Sequence, residues 1–150
     1  MPEEGESGDA IGAACARKML EGDRVSRRLG IALVSAGAGR ALLEMSVRED
    51  MLNGFGTCHG GILYTLADTA LSCACNSRNE RSVAQHCSMV YLRPGRLGDR
   101  LTASVAERSA AGRVGLYDVK VTDPSGAVVA EFLGHARLIG GALIEDKIEP

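Results

Sequence analysis

Between Met51 and Ser77 the chain runs MLNGFGTCHGGILYTLADTALSCACNS, and in its apolar part, Ile62 to Cys75, the one charged residue is Asp68. A helix that is apolar on almost every side is a buried helix. An ionised carboxylate is costly to bury without a partner. Two explanations stand for Asp68: it pairs with a structural cation, or it is a general base or nucleophile. A helix beginning near His59 and Gly60 sets Gly61, Tyr64, Thr65, Asp68, Ser72 and Cys75 along one side at i, i+3 and i+4 spacing. Its N-terminus is a second chemical asset, because free N–H groups and the positive dipole end favour developing negative charge. Gly60 and Gly61 would let a substrate approach that backbone closely, or they serve close helix–sheet packing.

The two assets cannot meet within one chain. Gly60 and Asp68 are eight residues apart, about 12 Å along a helix axis at 1.5 Å per residue. If both act on one substrate, the carboxylate comes from one subunit and the Gly60 amide from another. An antiparallel pairing of two such helices across a two-fold axis would build two identical sites. An enzyme of this design is therefore an obligate dimer.

Other chemistries find little support. There is no GxSxG elbow, no Ser-His-Asp order, no Walker A loop and no dinucleotide fingerprint. Cys58, His59, Cys73, Cys75, His86 and Cys87 are zinc-ligand types. Cys73 and Cys75, however, are two apart on a helix, where they point to separate faces and cannot chelate together. They are read as small buried thiols, and no metal or other cofactor is expected. Five cysteines, an odd number in a chain of this size, fit reduced thiols in a reducing compartment.

The elements that must position Asp68 follow from pattern. Residues 1–10 are acidic and glycine-rich and are expected to form a disordered tail. Short helices follow over 11–21 and 23–29, the second stopped by Gly30. Residues 31–47 form a strand pair or one bent strand, turning at 36–39. After the central helix, strands are expected over 82–92, 101–108, 113–122 and 127–139. On the first of these, Val83, Gln85, Cys87, Met89 and Tyr91 share one face by strict alternation. Consecutive strands with short turns make an antiparallel sheet, and a helix apolar all round must be wrapped by it. The fold class is α+β, the hotdog architecture, in a single domain over 11–141 with a frayed tail over 142–150.

Composition narrows the partners. With 45% hydrophobic residues and a formal charge of −2, the chain is an ordinary globular protein with no basic face for nucleic acid. No stretch is long and apolar enough to span a bilayer. The acidic start is the opposite of a signal peptide, so the cytoplasm is the expected compartment.

Several of these segments also occur together in one known family. MLNGFGTCHGG, LADTA and ACNS, followed by YLRPG with GD and LTA, GLYDV and the closing GHARLIGG, resemble the hotdog-fold thioesterases of bacterial phenylacetate degradation, the PaaI type. The resemblance runs from about Met19 to Gly141. It implies hydrolysis of phenylacetyl-CoA or its ring-hydroxylated relatives to the free acid and CoA, without a metal. It implies Asp68 as general base or nucleophile, the facing subunit's Gly60 amide as oxyanion donor, and Asn53 and His59 as residues that shape the site. Gly61 and Thr65 line the same stripe. A small hydroxyl residue on the following strand assists in related enzymes; here the neighbours are Ala84, Gln85, His86 and Ser88, and the choice stays open. Arg93 and Arg96 are either CoA-phosphate contacts or a solvated rim. The resemblance also implies a tetramer of two dimers. A broad or medium-chain acyl-CoA thioesterase is the alternative, ahead of a non-catalytic acyl-CoA-binding protein, and a DNA-linked acyl-CoA sensor would need a basic helix-turn-helix that is missing.

Overall fold

The computed structural model describes residues 4–145. Three helices, α1 (Glu4–Glu21), α2 (Arg24–Leu29) and α3 (Gly60–Cys75), accompany six strands: β1 (Ala32–Gly37), β2 (Arg40–Ser46), β3 (Ser82–Tyr91), β4 (Arg100–Ala111), β5 (Val114–Thr122) and β6 (Val128–Leu138). The strands form one sheet in the order β1-β2-β4-β5-β6-β3, every pair antiparallel. The sheet curls around α3, as the hotdog fold requires.

The core is the inner face of that curl. Leu63, Leu66, Ala67, Ala70, Leu71 and Ala74 of α3 are buried against Leu43, Met45, Leu101, Val105, Val119, Val121 and Phe132 of the strands. Small residues allow the close approach. Gly134 on β6 is buried, and a Cβ there would lie 2.6 Å from Leu71 Cδ2. The sheet does not close completely around the helix: Gly61, Thr65, Asp68 and Ser72 keep part of their surface open, at the spacing of one helical stripe.

Four features depart from the sequence reading. Residues 4–10 are helical, not a disordered tail, and residues 1–3 lie outside the described residues. The helix is anchored there by long-range contacts: Asp9 accepts from the Ala38 N–H at 3.0 Å and pairs with Arg40 at 2.5 Å. At the other end, Asn79 holds residues of the supposed frayed tail, accepting from the Leu143 and Ile144 N–H groups and donating to Ile144 O. Residues 146–150 lie outside the described residues. β3 does not pair with its sequence neighbour β4; the chain crosses over and β3 pairs with β6 at the far edge. Last, the β3–β6 register shifts between Ala84 and His86, so Gln85 is the extra residue of a bulge. The bulge breaks the strict alternation. Ala84 pairs with buried Ala136, while Cys87 and Met89 pair with buried Gly134 and Phe132 and pack on the core. His86, Ser88 and Val90 take the opposite face.

Candidate active site

The helix N-terminus is built by a loop folded around one side chain. Asn53 Oδ1 accepts from the Phe55 N–H at 2.9 Å, the Thr57 N–H at 3.1 Å and the Thr57 hydroxyl at 3.2 Å. This Asx-type turn returns the chain so that His59 N–H reaches Met51 O at 2.8 Å and Cys58 N–H reaches Gly95 O at 2.7 Å. His59 then caps α3: its Nδ1 accepts from the Gly61 N–H at 2.9 Å. That bond fixes the ring as a cap and leaves Nε2 facing outward chemistry. The Gly60 N–H has no acceptor among the described residues. It is one of the free donors that a helix start leaves over.

Tyr91, which the sequence reading placed only on a strand face, locks this end. Its Oη donates to Gly60 O at 3.1 Å. A Cβ at Gly60 would lie 3.2 to 3.3 Å from the Tyr91 ring and hydroxyl, so glycine at 60 is what lets the tyrosine lie across the helix start. Asn53, Gly60, Tyr91, Arg93 and Pro94 border a cleft of about 360 Å³ at this end. Arg93 belongs to it, with its guanidinium anchored on Val128 O at 2.8 Å. Arg96 does not line the cleft; its backbone N–H binds the Asp99 carboxylate at 3.0 Å.

Asp68 lies two turns along, half-buried on the open stripe. No hydrogen bond or ion pair joins its carboxylate to any described residue. The paired-charge explanation therefore finds no cation among the described residues. Burial pushes the Asp68 carboxyl above the usual carboxylate range, and the Asp23 charge pushes the same way. Its surroundings are Tyr64 and Cys87, both raised first by burial and then further by charge, including that of Asp68. Tyr64 packs edge-on against Phe132 with ring centroids 5.2 Å apart. Thr65 spends its hydroxyl on Gly61 O at 2.9 Å.

Of the strand candidates, none with a hydroxyl is brought to Asp68. His86 and Ser88 sit on the face opposite Cys87, and the His86 ring meets His135 edge-on at 5.3 Å. Gln85 occupies the bulge beside them. Cys87 is the strand residue that shares the Asp68 environment. The bulge hides it from an alternation count; the helical spacing of Tyr64 and Asp68, i and i+4, was the available signal for the tyrosine. Three other thiols are held protonated: burial raises Cys58 and Cys75 to about 11 and Cys73 to about 12. Among the described residues no three His, Cys, Asp or Glu side chains form a metal-binding group, and no helix is long and apolar enough to cross a membrane.

A carboxylate with a raised pKa, open to solvent on one side, can take a proton from water or attack a carbonyl. Free N–H groups at a helix start can receive an oxyanion. Comparison with known proteins places the chain in a family. The family model "Thioesterase superfamily" matches residues 55–130. The acyl-coenzyme A thioesterase PaaI of Escherichia coli K12 is 41% identical over 128 residues, 85% of this chain and 91% of that protein. The structure of the E. coli PaaI protein from the phenylacetic acid degradation operon superposes with a TM-score of 0.88 at 39% identity, covering 90% of this chain and 98% of that one. A Streptococcus mutans UA159 protein solved bound to acetyl CoA superposes at 0.72 with 27% identity, over 75% and 90% of the two chains. The match spans more than half of the sequence and takes in both the helix start and Asp68, and the chain belongs to the thioesterase superfamily.

Proposed function

We propose that this chain is a cytoplasmic acyl-CoA thioesterase that hydrolyses phenylacetyl-CoA or its ring-hydroxylated relatives, with Asp68 as the reacting carboxylate. The observation that carries the reading is the half-buried Asp68, without a partner among the described residues, on a stripe of α3 that the sheet leaves open. Similarity to E. coli PaaI and to an acetyl-CoA-bound relative supports the thioester and the CoA carrier.

In the hydrolytic step, Asp68 removes a proton from water as the water oxygen bonds to the thioester carbonyl carbon. The carbonyl oxygen gains negative charge and is received by the Gly60 N–H of a second copy, since about 12 Å of helix separates the two groups in one chain. Such donors are typically worth about 3–4 kcal/mol in the transition state. Collapse breaks the C–S bond, and the proton passes to the leaving thiolate to give free CoA and the acid. In the nucleophilic variant the carboxylate itself forms the C–O bond and water cleaves the anhydride. Asn53 and Arg93 line the cleft beside the helix start, His59 caps that helix, and Arg93 is the candidate contact for the CoA phosphates.

The second copy docks on β3. This strand ends the sheet, its outer edge carries no partner strand among the described residues, and Val83, Val90 and Tyr91 on it and Leu92 just beyond are between 46% and 60% exposed. A long apolar edge of this kind is covered by another strand, and a two-fold β3–β3 pairing would bring the open stripes of two α3 helices together. Two such dimers form the tetramer that the family resemblance implies.

The test is steady-state CoA release from phenylacetyl-CoA and from a straight-chain acyl-CoA by the wild type and Asp68→Asn. Aryl turnover that collapses in a still-assembled variant upholds the reading. Undiminished turnover in the variant makes Asp68 a structural charge, and a wild type that turns over no acyl-CoA returns the chain to a binding role.

A further inference from the structure

On α3, Tyr64 stands midway between Gly60 and Asp68, four residues from each. That is about 6 Å along the axis and a little over one turn in either direction. We infer that the Tyr64 rings of two copies face each other across the two-fold axis, and that this pair is the wall on which the acyl groups of both sites end. Tyr64 thereby sets the acyl length that the enzyme accepts. The inference rests on the shared-site reading of Gly60 and Asp68.

Symmetry places the pair. A two-fold axis that sets Gly60 of each copy against Asp68 of the other brings the midpoints of the two helical segments together. The residue at the midpoint is Tyr64, so it is paired with itself. The two reacting centres then lie about 12 Å apart along the seam, with both tyrosines between them. Within one chain Tyr64 is only half-buried, beside the open stripe, and so has surface left for a partner.

The ring is held from behind and is joined to both ends of the site. Buried Phe132 meets it edge-on, with ring centroids 5.2 Å apart. Its hydroxyl is within hydrogen-bonding reach of the Cys87 side chain, which ties α3 to β3 at this level. The Asp68 charge acts on both Tyr64 and Cys87, and Tyr64 also feels Tyr91, the residue whose hydroxyl rests on Gly60 O. The thioester decides which part of the substrate arrives here. Its sulfur and its acyl chain leave the carbonyl carbon on opposite sides. The cleft at the helix start, with Asn53, Tyr91 and Arg93, suits the CoA side, so the acyl group runs inward along the seam. A phenylacetyl group, or a chain of six carbons, covers roughly 6 Å from the carbonyl carbon with C–C bonds near 1.5 Å. That is the distance to the midpoint, and a longer chain meets the rings.

The experiment measures kcat/KM for phenylacetyl-CoA and for butanoyl-, hexanoyl-, octanoyl- and decanoyl-CoA. Wild type, Tyr64→Phe, Tyr64→Leu and Tyr64→Ala are compared after gel filtration to check assembly. Wild-type activity should drop beyond six carbons. Tyr64→Ala should raise the octanoyl-to-hexanoyl ratio about tenfold, the worth of two further buried methylenes. Tyr64→Phe keeps the ring and should leave that ratio within about twofold of wild type. If Tyr64→Ala does not assemble, Tyr64→Leu decides, with a smaller rise in the same direction. The pairing itself is read by cross-linking. Tyr64→Cys in a Cys87→Ala background should form an intersubunit disulfide under mild oxidation, because self-paired positions on two touching helices come within disulfide range. A wild-type length profile in assembled Tyr64→Ala overturns the inference, as does an assembled Tyr64→Cys protein that stays uncross-linked, and hydrolysis by Asp68 stands in both cases. A wild type that turns over no acyl-CoA overturns both.

Discussion

Replacing Asp68 by Asn keeps the side chain's shape and removes its charge, which lets stability and activity be read separately. The carboxyl is partly buried with no cation or donor from the described residues, and its pKa is raised by burial first and by Asp23 second. A carboxyl whose folded-state pKa lies above the unfolded one binds its proton more tightly when folded. Its favourable contribution is present below about pH 4 and is lost as pH rises through the folded pKa. Asn carries no such cost. At pH 7.5 the variant should therefore be more stable than the wild type, by about 1 kcal/mol once the open side of the site is allowed for. For a chain of this length that is a Tm higher by about 2–4 °C. The gap should narrow on acidification and vanish near pH 4. Thermal unfolding at fixed protein concentration across pH 4–8 measures it, with thioesterase activity followed in the same samples and expected to fall about 10²–10⁴-fold. A variant no more stable than wild type at neutral pH would mean that Asp68 has a stabilising partner, and the case for it as a reacting group would lose its physical basis.

Three further outcomes follow from the packing and the site. Tyr91→Phe removes the bond to Gly60 O and leaves the ring; kcat should fall about two- to tenfold with KM nearly unchanged, since only the helix start is loosened. Gly134→Ala forces a methyl to within 2.6–2.8 Å of the Leu71 side chain, and chemical denaturation should show a loss of about 1–3 kcal/mol. A thiol reagent at pH 8 should leave Cys58, Cys73 and Cys75 untouched in native protein, because burial raises them to about 11 or 12; all five cysteines should react after denaturation.

Local pattern carried the centre of this fold and lost the edges. The start of α3 at Gly60, the turn between β1 and β2 and the Gly30 stop are written in glycine placement and hydropathy period, and the structure has them where the residues put them. The first turns of α1 are not legible, because an acidic, glycine-rich segment has no helical signal of its own. It is held by Asp9 on the β1–β2 turn and by Gly12, where a Cβ would lie 2.5 Å from the Gly37 backbone. The crossover of β3 to the far edge is equally a long-range fact. A one-residue bulge then moved every later β3 side chain to the other face. That is why the sequence points to Gln85, His86 and Ser88 and not to Cys87, the strand neighbour that shares the Asp68 environment. The carboxylate itself was legible because a lone charge in an apolar helix conflicts with burial, and such conflicts mark functional sites.

The central claim is that Asp68 and the Gly60 N–H meet only across two subunits, and subunit mixing tests it most directly. Asp68→Asn removes the carboxylate; Gly60→Pro removes the N–H at a first helical position that accepts proline, with half-exposed Tyr91 yielding to the ring. Each parent should be nearly inactive on phenylacetyl-CoA. Denatured together in equal amounts and refolded, they should recover about a quarter of wild-type activity, because half of the dimers are mixed and each mixed dimer regains one intact site of two. Mixed dimers that form, as shown by differential tags, but stay as inactive as the parents would contradict a site shared between subunits.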